Sequence, residues 1–145
     1  MHYMMIVKAS TACEAGKKPS VDTVSAILNY THELRKAGAL VELSRLQPSS
    51  KGVRVKLLQE KAVVTDGPFT ETKEVIGGYW IIKAESMSEA VEWAKRVPGG
   101  HGDDDMVIEV RQFMELEEFV SGETVAPSLL AGQAPAQAAA QKQSY

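Results

Sequence analysis

Two residues have the side chains and chain positions suited to acid–base chemistry: Asp66, which opens the turn Asp66-Gly67-Pro68, and His101, in the glycine-rich loop ahead of the last apolar segment. A carboxylate bonded to one imidazole nitrogen fixes the tautomer and raises the basicity of the other, as a general base near neutral pH requires. Chain order permits both at one end of a sheet. The alternative for Asp66 is an Asx-turn in which its carboxylate accepts N–H groups of its own loop. For His101 the alternative is a solvated loop histidine. Glu71, Lys73 and Glu74 follow Asp66 closely and either position a polar ligand or pair with one another as solvated ions. Tyr79 and Trp80 point to opposite faces of an extended segment, so one lines a pocket while the other packs under a helix, and Trp80 is the core candidate. Glu109 and Arg111 share a strand face, either as an ion pair covered by a second sheet or with Arg111 free for a ligand. The candidate substrate-binding set is therefore Glu71, Lys73, Glu74, Tyr79, Trp80 and Arg111.

Other chemistries lack their residues. The run His101-Gly102-Asp103-Asp104-Asp105 misses calcium-loop spacing, and consecutive aspartates in an extended chain cannot all reach one ion, so no metal is expected. Gly77-Gly78 has no helix opening after it and no phosphate-loop pattern. Neither a Rossmann fingerprint nor Gly-x-Ser-x-Gly nor His-Glu-x-x-His occurs. Proton abstraction, isomerisation and elimination need no cofactor, and none is expected. Cys13 is the lone cysteine, which excludes an internal disulfide. A net charge of −3 argues against a basic nucleic-acid surface. No apolar run approaches the roughly 20 residues of a membrane span, and the N-terminus lacks a signal-peptide pattern, so a cytoplasmic protein is expected.

The elements that must position these residues follow from periodicity. Tyr3 to Lys8 reads as a central strand and Ala9 to Pro19 as a connecting loop. Ser20 caps a helix in which Val21, Val24, Ile27, Leu28 and Leu34 recur at helical spacing, with His32 and its neighbours Thr31 and Glu33 toward solvent, and Gly38 closes it. Ala39 to Leu46 is a second strand. Val53 to Leu57 and Lys61 to Thr65 form a hairpin or meander with one wet face. Gly77 to Ala84 is a buried strand, Ser86-Met87-Ser88-Glu89 a capping box opening a helix with apolar Ala90, Val91, Ala94 and Val97, and Met106 to Met114 the last strand. That order predicts an α+β fold, a split βαβ sheet with two helices on one face and an uncovered second face. From Ser121 onward the composition turns to alanine, glutamine and proline, which predicts a domain over 1–120 and a disordered tail over 121–145.

The run Asp66-Gly67-Pro68-Phe69, with Glu71, Lys73, Glu74 and Gly78-Tyr79-Trp80 after it, closely resembles the DGPF branch of the YciI-like (YCII-related) domain family, and the similarity extends from Met1 to Met114. The resemblance implies a ferredoxin-like fold whose open sheets pair into a dimeric α/β barrel, in bacterial proteins mostly of unknown function. Some members are encoded beside or fused to sigma factors, and characterised relatives are linked to a His-Asp dyad. One branch performs a dehydrochlorination with a histidine of the first helix. His32 lies in the corresponding helix without matching that motif's spacing. Three readings result: a homodimeric, cofactor-independent acid–base enzyme for a small polar metabolite, a non-catalytic ligand-binding or sigma-factor-associated module, and a purely structural dimer.

Overall fold

The computed structural model describes residues 1–71, 74–99 and 105–119. Contacts divide the chain after Gln112. The first unit holds β1 (His2–Lys8), α1 (Thr11–Glu14), α2 (Val21–Lys36), β2 (Leu40–Arg45), a 3-10 turn (Ser49–Lys51), β3 (Val53–Leu58), β4 (Lys61–Asp66), β5 (Ile76–Lys83), α3 (Met87–Lys95) and β6 (Ile108–Gln112). The described part of the second unit contains the short α4 (Leu116–Phe119). Strands β2-β5-β1-β6 form one antiparallel sheet, and β3 and β4 form a separate hairpin. This is an α+β architecture of ferredoxin-like order, as the element pattern predicts.

Alternation decides which face of the sheet is core. Tyr3 pairs with Ile82, Met5 with Trp80 and Val7 with Gly78 across β1 and β5, while Met5 pairs with Val110 on β6. These side chains meet Tyr30 and Leu34 of α2, Ala90 of α3 and Val97 just beyond α3 in a single buried cluster. Tyr30 stands edge-on to Trp80 with centroids 5.7 Å apart, and its hydroxyl donates to the Trp93 carbonyl at 2.8 Å, tying α2 to α3. Burial pushes the Tyr30 hydroxyl above its ordinary range, a shift opposed by Arg96 and reinforced by Glu33.

The helix ends follow their caps. Ser20 Oγ accepts from Thr23 N–H and Ser86 Oγ from Glu89 N–H, and Gly38 takes the left-handed conformation after α2. The Glu89 carboxylate reaches back one residue further than a capping box requires, to Glu85 N–H at 2.7 Å.

Four expectations need correction. The loop expected over Ala9 to Pro19 contains α1, capped by Ser10 Oγ accepting from Cys13 N–H at 3.1 Å. The inner stripe of α2 is Ile27, Tyr30, Thr31 and Leu34, whereas Val21, Val24 and Leu28 are exposed. Thr31 is buried because its hydroxyl is satisfied at the Ile27 carbonyl, 2.7 Å away. The β3–β4 hairpin has no buried face, since every one of its strand residues is exposed. Asp66 ends β4, opposite Val53, rather than beginning the turn.

Candidate functional site

Both long helices pack on the face that carries Tyr3, Met5, Trp80 and Ile82, so the opposite face of the sheet, which neither long helix covers, presents the alternate residues. Register places them in rows. Glu42, Ile81, Met4 and Arg111 lie side by side across β2, β5, β1 and β6, and Ser44, Tyr79, Ile6 and Glu109 form the next row. The centre of this face is thus an apolar floor of Met4, Ile6, Tyr79 and Ile81. Polar groups stand on its two edge strands. On β2, the Glu42 carboxylate accepts from the Tyr79 hydroxyl at 3.1 Å. On the β6 side, Glu109 lies between two cations, 3.7 Å from Lys8 Nζ and 3.4 Å from Arg111. The Arg111 pair is largely exposed, so it contributes little to stability and its charges remain available.

Trp80 is in the core, which leaves Tyr79 as the ring of the pair on the uncovered face. Among the described residues the buried Trp80 Nε1–H has no acceptor. His32 is exposed, as periodicity indicates.

The loop after β4 has a different use. Gly67 N–H donates to the Gly52 carbonyl at 2.9 Å, and Phe69 N–H donates to Ser49 Oγ at 3.1 Å. The Ser49 hydroxyl donates in turn to Glu14 Oε2, and Ser49 N–H donates to Glu14 Oε1 at 3.0 Å. Ser49 is 6% exposed, and the Arg54 guanidinium covers the Phe69 ring at 3.8 Å. A Cβ on Gly67 would sit 1.8 Å from the Ser49 carbonyl oxygen, so only glycine lets the loop lie flat on the 3-10 turn. Asp-Gly-Pro-Phe therefore closes the base of the hairpin and pins it to α1.

Gly77 and Gly78 have packing reasons of the same kind. A Cβ on Gly78 would lie 2.8 Å from the Ser44 carbonyl oxygen, and one on Gly77 would lie 3.3 Å from Ala9 Cα and 3.6 Å from Cys13 Sγ. The two glycines let β2 and the start of α1 approach β5.

Of the residues expected to act, Asp66, Glu71 and Glu74 are exposed around the clasp, and Arg111 and Tyr79 lie on the uncovered face. His101 and Lys73 lie outside the described residues, as does the tail over 121–145. Sequence reasoning missed Glu42, Lys8, Glu14 and Ser49. Glu42 and Lys8 could have been placed on the face by period two once the neighbour order of the strands was known. Among the described residues no group of histidine, cysteine or carboxylates could hold a metal, and no helix is long and apolar enough to cross a membrane.

Sheet order, long helices on one face and a polar-edged second face define the class: a small α+β domain of ferredoxin-like order. Residues 1–122 match the YCII-related domain, and the chain belongs to that family. It is also similar to an uncharacterized protein of Rhizobium meliloti (strain 1021), 36% identical over 59 residues, a stretch that covers 41% of this chain. The match spans about half (48%) of that relative's length.

Proposed function

We propose that the chain works as a homodimer that handles a small polar metabolite on the uncovered face of its sheet, by acid–base chemistry of lyase or isomerase type that needs no cofactor. The observation that carries this reading is the layout of the face, an apolar floor edged by Glu42 with Tyr79 on one side and by Glu109 between Lys8 and Arg111 on the other. A carboxylate held by a phenolic hydroxyl can accept a proton from a bound substrate while the hydroxyl returns one. The cations would hold negative charge that develops on the substrate. The floor takes the apolar part of the ligand and the edges fix its orientation. A second copy over the face would exclude water and strengthen each of these interactions.

Asp66 with His101 is the alternative base pair within the same reading. A thermal-shift screen of small hydroxy, keto and unsaturated acids separates the two. A compound that stabilises wild type but neither Glu42→Gln nor Arg111→Ala supports the sheet face. Stabilisation that survives in both variants and vanishes in Asp66→Asn moves the chemistry to Asp66 and His101. The reading fails if no compound stabilises wild type.

A second reading, a non-catalytic ligand-binding or sigma-factor-associated accessory protein, draws support from the exposed apolar hairpin, which suits a protein partner. Ligand binding without turnover, together with a stable complex with such a factor, would favour it.

A further inference from the structure

The two sides of the sheet face that the long helices leave uncovered differ in charge. Glu109 stands between Lys8 and Arg111, so the β6 side holds two cations about one carboxylate, an excess of positive charge. On the β2 side the partly buried Glu42 carboxylate meets the Tyr79 hydroxyl and, among the described residues, no cation. Lys83 stands one row further along β5, exposed and outside ion-pair distance of Glu42. A carboxylate offers about four acceptor sites, of which the Tyr79 hydroxyl fills one. Glu42 therefore still calls for a donor, and the cations at the other side still call for an anion. Between them lie the apolar side chains of Met4, Ile6 and Ile81.

The strand order sets the distance between these two ends. Glu42 and Tyr79 belong to the neighbouring strands β2 and β5, and Lys8, Glu109 and Arg111 to β1 and β6. Two strand spacings separate the middles of those pairs, about 10 Å. With a hydrogen bond of about 3 Å slanting up to each end, the terminal groups of a bound molecule sit about 6–8 Å apart, the reach of an extended chain of about five or six carbons. Charge then sorts the candidates of that length. A dicarboxylate sets its second carboxylate against Glu42, and a diamine sets one ammonium against Lys8 and Arg111. A plain carboxylic acid fills the cationic end but covers Glu42 without giving it a donor, which costs the carboxylate its water. A carboxylate at one end with an N–H donor at the other satisfies both.

We infer that the face takes a monocarboxylate with an ammonium or other N–H donor at its far end, of which an ω-amino acid is the simplest kind. The carboxylate lies at Arg111 and Lys8, the methylenes on Met4, Ile6 and Ile81, and the donor end at Glu42. The inference rests on the reading of that face as the functional surface. It narrows the small polar metabolite to one charge pattern and one length, and it sets dicarboxylates aside.

The test uses four probes of equal carbon number that differ only in their ends: 6-aminohexanoate, hexanoate, adipate and 1,6-diaminohexane. Each is titrated into isotope-labelled wild type, Glu42→Gln and Arg111→Ala while the methyl signals of Met4, Ile6 and Ile81 are followed by NMR. The core methyls of Met5 and Ile82 verify that each variant is folded. In wild type, 6-aminohexanoate is expected to move the floor signals and to bind at least about tenfold more tightly than each of the other three. In Glu42→Gln its advantage over hexanoate is lost and adipate gains. In Arg111→Ala the two monocarboxylates weaken together while 1,6-diaminohexane does not. Adipate or hexanoate binding wild type as tightly as 6-aminohexanoate, or an advantage that survives in Glu42→Gln, would overturn the inference; if Glu42→Gln does not fold, the wild-type ranking decides alone. The ligand screen separates the two readings. A hydroxy, keto or unsaturated acid that needs Glu42 and Arg111, with 6-aminohexanoate no better than hexanoate, sinks the charge pattern alone. Floor signals that respond to no compound of either set sink the reading of the face, and the inference with it.

Discussion

Replacing Ser49 by alanine tests whether the Asp-Gly-Pro-Phe loop is a structural clasp. The hydroxyl accepts from Phe69 N–H and donates to the Glu14 carboxylate. Its removal deletes one neutral bond, worth about 1 kcal/mol, and one to a charged group, worth about 1.5–3 kcal/mol. Glu14 keeps the Ser49 N–H, and its partly buried carboxylate can still recruit water, so the net loss falls at about 2–3 kcal/mol. For a domain of this size that lowers the melting temperature by about 10 °C in differential scanning calorimetry. Glu14→Gln, which retains an acceptor and offers an N–H near the Ser49 hydroxyl, should lose less than half as much. Amide exchange of Phe69 and Gly67 should accelerate in Ser49→Ala before that of β1 and β5, because the clasp opens locally. A melting temperature within about 1 °C of wild type, with Phe69 protection unchanged, would refute the clasp. So would additive effects of Ser49→Ala and Glu14→Ala, since partners in one network must couple.

Gly67→Ala drives its Cβ into the Ser49 carbonyl, so it should destabilise by more than Ser49→Ala and expose the hairpin base to limited proteolysis. Trp80→Phe should change the melting temperature by only a few degrees, because the smaller ring costs packing while removing a buried N–H that has no acceptor among the described residues. Tyr30 gives a pH prediction. Its folded pKa is raised, so both states are protonated below about pH 10 and the stability is unaffected there. Above that the unfolded chain releases a proton that the folded chain retains, and stability falls by about 1.4 kcal/mol per pH unit. Denaturant unfolding at pH 10 to 11.5 should show that slope in wild type and a shallower one in Tyr30→Phe. Tyr79→Phe removes the hydroxyl on Glu42 and should cost about 1 kcal/mol or less, while abolishing stabilisation by any compound found in the ligand screen.

The fold was legible where a pattern had one physical cause, and it was obscured where polar residues went inside. Strand alternation in Tyr3 to Lys8 and the caps at Ser20 and Ser86 needed only local rules, and the structure has them. The inner stripe of α2 was misassigned because Val21, Val24 and Leu28 satisfy helical spacing as well as Ile27, Tyr30 and Leu34 do. The inner set is chosen by polar satisfaction: the Tyr30 hydroxyl reaches the Trp93 carbonyl and the Thr31 hydroxyl the Ile27 carbonyl. Such partners cannot be seen before the chain folds. Glu14 and Ser49 were hidden for the same reason, being 35 positions apart with neither in a recognisable motif.

The run that carries the family resemblance also carries the acid–base candidate Asp66, yet its glycine and its Phe69 amide are engaged in closing a hairpin. Each part of the clasp fixes the direction of β3 and β4 relative to α1, and α1 begins just after β1, one of the two central strands of the sheet. A chain that needed the hairpin only as a connection could end it in any turn. Holding it by a buried serine, a carboxylate and a glycine with no room for a Cβ fixes the direction in which the hairpin leaves the sheet. Ser49→Ala should therefore loosen the whole hairpin before the sheet, seen as faster amide exchange across Val53 to Asp66 than in β1 and β5, and unchanged exchange there would separate the clasp from the hairpin's direction.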